Sequence, residues 1–484
     1  MADNLFVHGH SCCELRSENF SLICDPWLLG SAYWRSWWNF PKVESLDSLI
    51  KIWNNQKNIY VYLTHQHWDH FHGPTLRKIY RECKHVKFLI PQTPEFRIKK
   101  DLLEVIPYAE IIELVHAKRY LLNKRINILS FQTGPITADS ALAIFNDKFC
   151  ILNMNDSKIM PISLKHLKNI IPTPDISLRS HSSANSRCCK RDLSGLKRLD
   201  IIDKTRLEYT TEFLDSCYTF NTKIAIPFAS NMVHLHEETE KYNAFSNFSD
   251  YVEKDFLTLN KNYPNMDCKM ILPGEKINLN TFKIKKDERL RKEINNKDRN
   301  LLIEEIKSTI QDKLDRQLKY EKKTKPKDKL IEIFFLKIIK NTPSIFVNYL
   351  SSNIYIETYG ESISKVYRLD FKKKSIEYIK KPKISKSTVI IRVHNYVLNE
   401  VCRMNNYSSL GVSKRLEIRT LPGNFRYEIF NLLCNSIESG GPIPFNNLLS
   451  LSFIIRWIRR FREIFDLIFF LISIVGSKKN FFKF

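Results

Sequence analysis

The first 150 residues alternate short apolar runs with polar segments, as an α/β fold does. Apolar residues within 5–15 and 20–27 predict two strands joined by a hairpin at 16–19. The run at 59–63 predicts a further strand, and residues 74–81 fit a helix with proline in its first turn. The alternation continues through apolar runs at 86–90, 126–129, 141–145 and 149–152.

From residue 283 to residue 330 the chain becomes charge-dense, and its apolar residues recur every four positions. These residues are Leu302, Ile306, Ile310, Leu314 and Leu318. The spacing predicts an amphipathic helix, followed by a solvated run at 319–329. We therefore interpret 283–330 as a charged helical linker between a first domain at 1–282 and a C-terminal α+β region at 331–447. In that region, strand-like alternation occurs at 352–379, 388–393 and 414–419.

The remaining residues, 448–484, form an amphipathic tail. Its longest uncharged run, 467–477, is shorter than the roughly 20 residues that a membrane span needs. Arginine and aromatic residues are interspersed just before it, at Arg456, Trp457, Arg459, Arg460, Phe461, Arg462 and Phe465. The pattern fits an interfacial helix at an anionic membrane surface, with the arginines at the headgroups. It fits equally a helix docked on its own domain or on a second subunit.

Composition limits the class of protein. With 484 residues and 43% hydrophobic content, the chain is long enough for two or three packed domains. Its formal charge of +24 fits a polyanionic partner, namely nucleic acid, an anionic membrane or a phosphate-bearing substrate, unless the excess lysines only cover solvated faces. The eleven cysteines include no Cys-x-x-Cys pair, which favours reduced, buried thiols. Because the N-terminus lacks a signal-peptide pattern, we expect a cytoplasmic protein, with a peripheral position at the inner membrane face as the alternative.

Candidate chemistry is concentrated directly after the strand at 59–63, in the segment THQHWDH at 64–70. On a tight loop, His65 and His67 can converge on one ion while Asp69 and His70 turn toward a second. Imidazole and carboxylate ligands suit Zn, Mn or Fe, and the absence of thiolates argues against a closed structural zinc site. We therefore predict one or two divalent transition-metal ions here. The alternative is a histidine-rich surface turn that binds metal by accident.

The spacing His-x-His-x-Asp-His resembles the signature of the metallo-β-lactamase superfamily. That resemblance implies an αββα sandwich with a mono- or dinuclear metal site at one edge, and it gives Asp25 the role of supporting the loop. Gly9-His10-Ser11 resembles the opening of the subgroup that contains ascorbate-phosphate lactonase and the phospholipase acting on N-acyl-phosphatidylethanolamine. His10 is therefore a candidate catalytic residue beside Asp69. Its alternative is a hydrogen-bonded core histidine.

Two later segments extend the resemblance. Asp156 ends an apolar strand where the superfamily places its metal-bridging carboxylate. Further on, the Pro-Phe-Ala sequence at 227–229 is followed by His234 and His236. Together with Asp139, these segments look like the β-lactamase-like domain of CMP-N-acetylneuraminate hydroxylase and its bacterial relatives, over roughly residues 1–280. The resemblance implies that His236, rather than His234, closes the site.

The chain departs from that family in two ways. The combination of Cys-x-His and Cys-x-x-His motifs, which binds the Rieske cluster in the hydroxylase, does not occur. In addition, the third histidine of the first metal should lie shortly before Asp139, where this chain has GPIT at 134–137. Either Asp139 takes its place or the first site is incomplete. His116 and His181 are weaker substitutes.

A metal-dependent hydrolase is the function that these features favour, because a bound divalent ion lowers the pKa of water toward 7 and polarises the substrate. From the resemblance, His65 and His67 would hold the first metal, Asp69, His70 and His236 the second, and Asp156 would bridge them. Expected substrates are sugars, nucleotide sugars or phosphoesters, as in surface-polysaccharide metabolism. The alternatives are an iron-dependent CMP-sugar hydroxylase with a separate electron donor and a non-catalytic metal-binding or membrane-associated protein. Nucleic acid is not the expected partner, since no basic patch interleaved with aromatic residues is recognisable.

Overall fold

The structure of the chain is a computed structural model. It describes residues 3–93, 97–134, 139–182, 184–199, 205–351, 353–361, 364–438 and 451–476.

Strands dominate the first half of the chain. In chain order they are β1 (Asn4–Val7), β2 (Cys13–Arg16), β3 (Phe20–Cys24), β4 (Ser31–Ala32), β5 (Trp37–Asn39), β6 (Asn58–Tyr62), β7 (Val86–Pro91), β8 (Glu110–Leu114), β9 (Arg119–Leu122), β10 (Ile126–Thr133), β11 (Asp139–Phe145), β12 (Cys150–Asn155), β13 (Ile176–Arg179), β14 (Lys190–Arg191), β15 (Ile224–Pro227), β16 (Met232–His234), β17 (Asp267–Cys268), β18 (Lys276–Asn278) and β19 (Ile284–Lys285). The helices between them are α1 (Leu46–Trp53), α2 (Gly73–Glu82), α3 (Arg97–Val105), α4 (Pro161–Ile170), α5 (Arg206–Thr219) and α6 (Ser249–Leu259).

Helices predominate in the second half. They are α7 (Glu288–Asn296), α8 (Arg299–Lys323), α9 (Asp328–Lys340), α10 (Ser344–Leu350), α11 (Asn395–Met404), α12 (Ser408–Ser413), α13 (Arg426–Glu438), α14 (Leu451–Arg459) and α15 (Phe461–Gly476). The strands are β20 (Ile354–Tyr359), β21 (Lys365–Asp370), β22 (Ser375–Ile379), β23 (Val389–His394) and β24 (Leu416–Arg419).

Two large sheets of the first half pack face to face. Their strand orders are β19-β18-β1-β2-β3-β6-β7-β8 and β17-β15-β13-β12-β11-β10-β9. Both sheets contribute to the buried apolar cluster between them, for example through Leu22 and Tyr62 on one side and Leu142 and Ile151 on the other. The centre of the domain is therefore the space between the sheets.

Helices cover the outer faces of both sheets. α1, α2 and α3 pack on the first sheet through Leu49, Leu76 and Leu102. α4, α5 and α6 pack on the second sheet, with Leu167 and Phe213 in the contact. The order of layers is helix, sheet, sheet, helix, so the αββα sandwich expected from the sequence is confirmed.

A third sheet organises the C-terminal region, in the order β14-β24-β23-β20-β21-β22. Its edge strand β14 comes from the first half of the chain and pairs in parallel with β24. The apolar core of this region also includes Trp27, Tyr33 and Trp37 from the first half. The predicted α+β region is therefore present, but it shares a sheet and a core with the sandwich.

The segment interpreted as a linker is part of this packed structure. The first sheet extends past residue 282, because β19 pairs with β18. The predicted amphipathic helix is present as α8, and Leu302 and Leu314 on it are buried. The expected solvated run at 319–329 is wrong at Glu321, which is 2% exposed because its carboxylate pairs with the buried Arg415 at 2.6 Å.

The tail forms two helices, α14 and α15. Of the helices within the described ranges, none is both long and apolar enough to cross a membrane. Arg460, which the sequence pattern assigned to lipid headgroups, is only 2% exposed. It faces the sandwich, where its Nη2 donates to the carbonyl of Gly134 at 2.8 Å.

Candidate metal centre

The histidine loop leaves the carboxyl end of β6 at one edge of the sandwich. β3 and β6 are parallel, so Asp25, which follows β3, lies beside the loop. Thr64 donates two hydrogen bonds to this carboxylate, from its backbone N at 2.8 Å and from Oγ1 at 2.7 Å. Nδ1 of His70 lies 3.0 Å from Asp25 Oδ2. The carboxylate thus fixes the loop and holds the His70 proton on Nδ1, which leaves Nε2 available to a metal.

His65 and His67 converge as the sequence predicts. Nε2 of His65 lies 2.8 Å from Nδ1 of His67. On the other side of the His65 ring, Nδ1 lies 3.3 Å from Oδ1 of Asp139. Asp139 therefore faces the nitrogen turned away from His67, and in this position it orients His65 instead of replacing the missing third histidine. The segment 135–138, where that histidine was expected, lies outside the described residues.

A second group forms around His70. Its Nε2 lies 3.3 Å from Asp69 Oδ2 and 3.3 Å from Asp156 Oδ2. The possible ligands form two sets, and within each set the ligand atoms lie within 4.8 Å of one another. One set is His10, Asp69 and His70, and the other is His65, His70 and Asp156. Asp156 is thus close both to His65 and to the second group, where a bridging carboxylate would have to be.

The protonation states of the carboxylates and of the histidines respond to their mutual contacts. Burial raises the pKa of Asp69, but the charge of His70 and hydrogen bonds from His10 and His70 outweigh it and hold the pKa well below its ordinary value. Asp156 also has a lowered pKa, because the hydrogen bond from His70 outweighs burial. Burial and the neighbouring His65 lower the pKa of His67 to about 4. Burial lowers the pKa values of His65 and His70, but the charges of Asp139 and Asp69 respectively outweigh it and raise them. At neutral pH the chain therefore offers ionised carboxylates and a neutral His67, and a bound metal would displace a proton from His70.

His10 and Tyr33 hold the two oxygens of Asp69. Nε2 of His10 lies 3.0 Å from Oδ2, and the Tyr33 hydroxyl donates to Oδ1. Burial, followed by the charge of Asp69, raises the pKa of Tyr33 well above its ordinary value. The phenol therefore stays protonated and keeps donating. No motif in the sequence pointed to Tyr33.

The structure does not bring His236 to this cluster. Its Nε2 lies 3.4 Å from Glu321 Oε2. His234 is also elsewhere, with Nδ1 3.2 Å from Ser36 Oγ and Nε2 3.3 Å from Lys414 Nζ. The reason is that β16 leaves the second sheet and pairs with β5 in a small separate sheet. Of the residues predicted as ligands, His236 is therefore the one that the fold separates from the rest.

His181 lies at the same edge as the cluster. It follows β13, the parallel neighbour of β12, which ends beside Asp156. It is 1% exposed, and neither ring nitrogen has a hydrogen-bond partner of good geometry among the described residues. Burial lowers its pKa to about 3, so the ring is neutral. From the sequence, His181 was only a weak substitute for the third ligand. The signal that could have identified it is its position directly after β13, the strand that follows Asp156 in the chain.

His116, the other substitute, is held away from the metal loop. Its Nδ1 accepts a hydrogen bond from the backbone N of Gln132 at 2.9 Å, and its ring lies 4.6 Å from that of Phe131. Neither His116 nor His181 belongs to the two compact groups found among the described residues.

A left-handed turn connects the cluster to the C-terminal region. Tyr33, Trp34 and Arg35 have φ values of 52°, 55° and 67°, a conformation that is costly for residues other than glycine. Trp34 packs edge-on against Trp68 of the metal loop, with ring centroids 5.0 Å apart. The buried guanidinium of Arg415 donates to the Trp34 carbonyl at 2.9 Å. A residue of the C-terminal region thus helps to hold the turn that carries Tyr33.

A cavity of about 980 Å³ opens beside the metal loop, between the sandwich and the C-terminal region. Gln66 and Trp68, the residues between the ligands, line one side, and Tyr396 of α11 lines another. Arg77 and Lys337 also line it, and neither has a carboxylate partner among the described residues. The cavity can therefore accept a ligand larger than water beside Gln66 and Trp68 of the metal loop, and its wall carries six basic and four acidic side chains.

The donor set fits a divalent transition metal. It consists of imidazole nitrogens and carboxylate oxygens that converge from one loop and two strand ends, and within the two compact groups all except the half-buried Asp156 are buried. A surface turn that binds metal by accident would be solvated, whereas His65, Asp69 and His70 are between 0% and 4% exposed.

Comparisons with known proteins find similarity over part of the chain. No family model matches. A protein of Mycolicibacterium smegmatis whose name assigns it a Rieske 2Fe-2S centre is 27% identical over 185 residues, 36% of this chain and 33% of that protein. The cytidine monophosphate-N-acetylneuraminic acid hydroxylase of Xenopus laevis is 27% identical over 123 residues, which is 23% of this chain and 20% of the hydroxylase. The chain thus spans at most about a third of the length of these relatives.

Solved structures with the metallo-β-lactamase fold are also similar. A possible metal-dependent hydrolase of Veillonella parvula has 13% identity and a TM-score of 0.40, and covers 57% of this chain and 99% of its own. The diiron β-hydroxylase CmlA of Streptomyces venezuelae has 15% identity and a TM-score of 0.36, and covers 56% of this chain and 53% of its own.

Proposed function

We propose that the protein is a metal-dependent hydrolase whose one or two divalent ions are held by His65, His67, Asp69, His70 and Asp156. The observation that carries this proposal is the convergence of these side chains at one edge of the sandwich, with His65, Asp69 and His70 buried and His67 and Asp156 partly exposed beside a cavity. A bound divalent ion supplies Lewis acidity and lowers the pKa of water from about 15.7 toward 7, so hydrolysis is the simplest reaction at such a centre.

The residues around the centre have separable roles. Asp25 holds the His70 proton on Nδ1, so that Nε2 is presented to the centre. Asp69 is ionised at neutral pH and can orient a water molecule or accept its proton. His10 and Tyr33 hold the two oxygens of Asp69 in place. This fixes the direction from which the carboxylate can accept a proton from a water molecule.

The substrate we propose is a sugar, a nucleotide sugar or another phosphoester, with a role in surface-polysaccharide metabolism. The cavity supports an anionic group, because Arg77 and Lys337 lie on its wall without carboxylate partners among the described residues. Trp68 and Tyr396 add aromatic surface on which a sugar ring or a base can pack.

Hydroxylation is the second candidate. It is favoured by the sequence similarity to proteins named as CMP-N-acetylneuraminic acid hydroxylases and as Rieske iron–sulfur proteins. In this case the metal would be iron, and the reaction would require an electron donor such as a Rieske centre.

Metal analysis combined with an activity screen tests the proposal. We expect one or two transition-metal ions per chain, and turnover in a screen of phosphoesters, lactones and CMP-sugars. The double variant His65→Ala/His67→Ala should lose at least one ion and all turnover, because the first pair of ligands is removed. Turnover of a CMP-sugar only with iron, oxygen and a reductant would favour hydroxylation instead.

A matched control is His85→Asn. His85 is exposed and has a φ of 56°, which asparagine tolerates, so this variant should keep its metal and activity. If the double variant binds as much metal as the wild type, the assignment of the centre is wrong.

A further inference from the structure

The helices α14 and α15 are attached to the sandwich through polar side chains. Asp466 on α15 accepts hydrogen bonds from the backbone N of Ile162 and Ser163, at 2.8 and 2.9 Å, and from Ser163 Oγ at 2.7 Å. These donors belong to the first turn of α4, whose N–H groups have no partners within their own helix. The carboxylate thus caps α4, and it is 3% exposed.

A second polar contact lies one turn earlier. Arg460, between α14 and α15, donates to the carbonyl of Gly134 at 2.8 Å and, through Nε, to Glu463 Oε2 at 2.8 Å. Arg460 is 2% exposed and Glu463 is 6% exposed. The charged side chains of this contact are therefore buried against the sandwich.

The opposite side of the two helices is apolar and exposed. Its residues recur at three- and four-residue intervals, and each is at least 38% exposed: Leu451 (73%), Ile454 (38%), Ile455 (38%), Ile458 (61%), Phe461 (43%), Phe465 (50%), Ile468 (44%) and Phe469 (60%). An amphipathic helix docked on a water-soluble domain turns its apolar side inward. Among the side chains that the structure describes, this pair does the reverse, so its outer face needs an apolar environment.

The charges on the outer face have one sign. Glu463 and Asp466 are the only acidic residues in 451–476, and both are buried. Arg459 is exposed and Arg462 is half-buried, and neither has a carboxylate partner among the described residues. Arg462 lies over the Phe461 ring, 4.6 Å from its centroid. Arg459 Nη1 donates to Gln92 Oε1 at 3.5 Å. The exposed face is therefore apolar, and the arginines beside it have no carboxylate partner among the described residues.

We propose that this face docks on an anionic lipid surface. The apolar side chains enter the boundary between headgroups and acyl chains, and the arginines meet the lipid phosphates. α15 has 16 residues and would be about 24 Å long, so it can lie in the plane of the membrane. A second copy of the chain fits less well, because a symmetric contact would bring the arginines of both copies together.

Docking would place the metal centre beside the membrane. Gly134, the residue that Arg460 holds, follows β10, and Thr133 at the end of β10 pairs with Asp139 of β11. Asp139 in turn contacts His65. The proposed lipid-binding face and the edge that carries the centre therefore belong to the same end of the sandwich. The lipid-binding proposal itself does not depend on any catalytic activity.

Flotation of the full chain with vesicles tests the proposal. We expect binding to vesicles of phosphatidylcholine with 30% phosphatidylserine, and at least tenfold weaker binding to phosphatidylcholine alone. Phe465→Gln/Phe469→Gln should reduce binding to the anionic vesicles at least tenfold. Arg459→Gln/Arg462→Gln should reduce it and also flatten its salt dependence, since two screened charges are lost.

Leu196→Gln/Ile345→Gln is the matched control, because these side chains are 91% and 77% exposed but lie outside the face. This variant should bind vesicles as the wild type does. Apart from the half-buried Arg462, the variants change exposed side chains, and equal thermal unfolding would verify that they fold. The proposal is overturned if the wild type does not bind anionic vesicles, or if the phenylalanine variant binds them equally well. The proposal is also overturned if the wild type does not bind vesicles but forms a dimer that the phenylalanine variant does not form, because the face then serves self-association.

Discussion

At the scale of single residues, Asp25 illustrates how a supporting side chain controls the centre. The carboxylate is fully buried and has a φ of 43°, which aspartate and asparagine tolerate better than other residues. It accepts hydrogen bonds from Thr64 and lies 3.0 Å from Nδ1 of His70. One group therefore fixes both the path of the loop and the tautomer of a ligand.

Asp25→Asn should weaken metal binding by about 10- to 100-fold with little change in fold. Asparagine suits the backbone conformation, but its amide cannot accept hydrogen bonds at both positions, so the tautomer of His70 is no longer fixed. Competition with a chelator measures the affinity. Asp47→Asn is the control, because that carboxylate is 65% exposed and pairs only with Lys78 at the surface. Equal metal affinities of the wild type and Asp25→Asn would show that Asp25 does not have this role.

Because of His116, we expect the free energy of unfolding to depend on pH in a way that does not involve the metal. Burial, followed by the charge of Arg460, lowers its pKa in the folded protein from 6.5 to about 3. Between these values the unfolded chain binds a proton that the folded chain does not. Stability is therefore fully present above pH 6.5 and falls as the pH decreases toward 3. Allowing for partial exposure of the ring, the loss at pH 5 is on the order of 1 kcal/mol.

Urea unfolding of His116→Gln at pH 7.5 and pH 5 checks this. Glutamine keeps an acceptor for the backbone N of Gln132 but does not titrate, so the variant should lose less free energy of unfolding between the two pH values than the wild type. His85→Asn, at an exposed position, should behave as the wild type. An unchanged pH dependence in His116→Gln would contradict the role of this histidine.

At the scale of elements, the left-handed turn at Tyr33–Arg35 is the most demanding local structure near the centre. Three consecutive non-glycine residues with positive φ cost about 1–2 kcal/mol each, so surrounding contacts must hold them. One such contact is the hydrogen bond from Arg415 to the Trp34 carbonyl. The same guanidinium pairs at 2.6 Å with Glu238 and with Glu321, and it is 1% exposed.

Arg415→Met should reduce the free energy of unfolding by about 3–5 kcal/mol, because two carboxylates become buried without their partner. Thermal unfolding measures the loss. The double variant Arg415→Met/Glu321→Met should recover part of it, since one of the two unpaired charges is also removed. Arg403→Met is the control, because Arg403 is 53% exposed. A loss as small as that of the control would mean that Arg415 does not hold the turn.

At the scale of the whole molecule, the two halves of the chain share one core. Trp27, Tyr33 and Trp37 pack in the same cluster as Ile356 and Val393 of the C-terminal sheet. β14, from the first half, completes that sheet. The metal-binding half is therefore not covered by its own residues alone, in contrast to the expected separation into a domain, a linker and a second region.

A chain that ends at Lys285 should consequently aggregate and bind hydrophobic dyes, because these aromatic side chains become exposed. Size-exclusion chromatography with dye binding measures this. A chain that ends at Asn447 lacks only the tail and should stay soluble, which controls for truncation as such. A soluble, metal-binding monomer of residues 1–285 would contradict the shared core.

Much of the fold followed from the sequence because it depends on local patterns. Strands such as β3 and β6, the hairpin between β2 and β3, and the helix that begins near Pro74 are set by apolar alternation and by proline. The loop ligands His65, His67, Asp69 and His70 are close in sequence, so their proximity in space was nearly assured. For these residues the sequence alone was enough to predict a site.

The rest depended on long-range packing, which no local pattern contains. His236 was assigned by resemblance, but β16 pairs with β5 and carries it away from the centre. Tyr33 reaches Asp69 from a turn that Arg415, far along the chain, helps to hold. The tail pattern fitted an interfacial helix and a docked helix equally. The hydrogen bonds from α4 to Asp466 determine which side of the tail faces the sandwich. Contacts between distant segments select one arrangement among several that the local sequence permits equally.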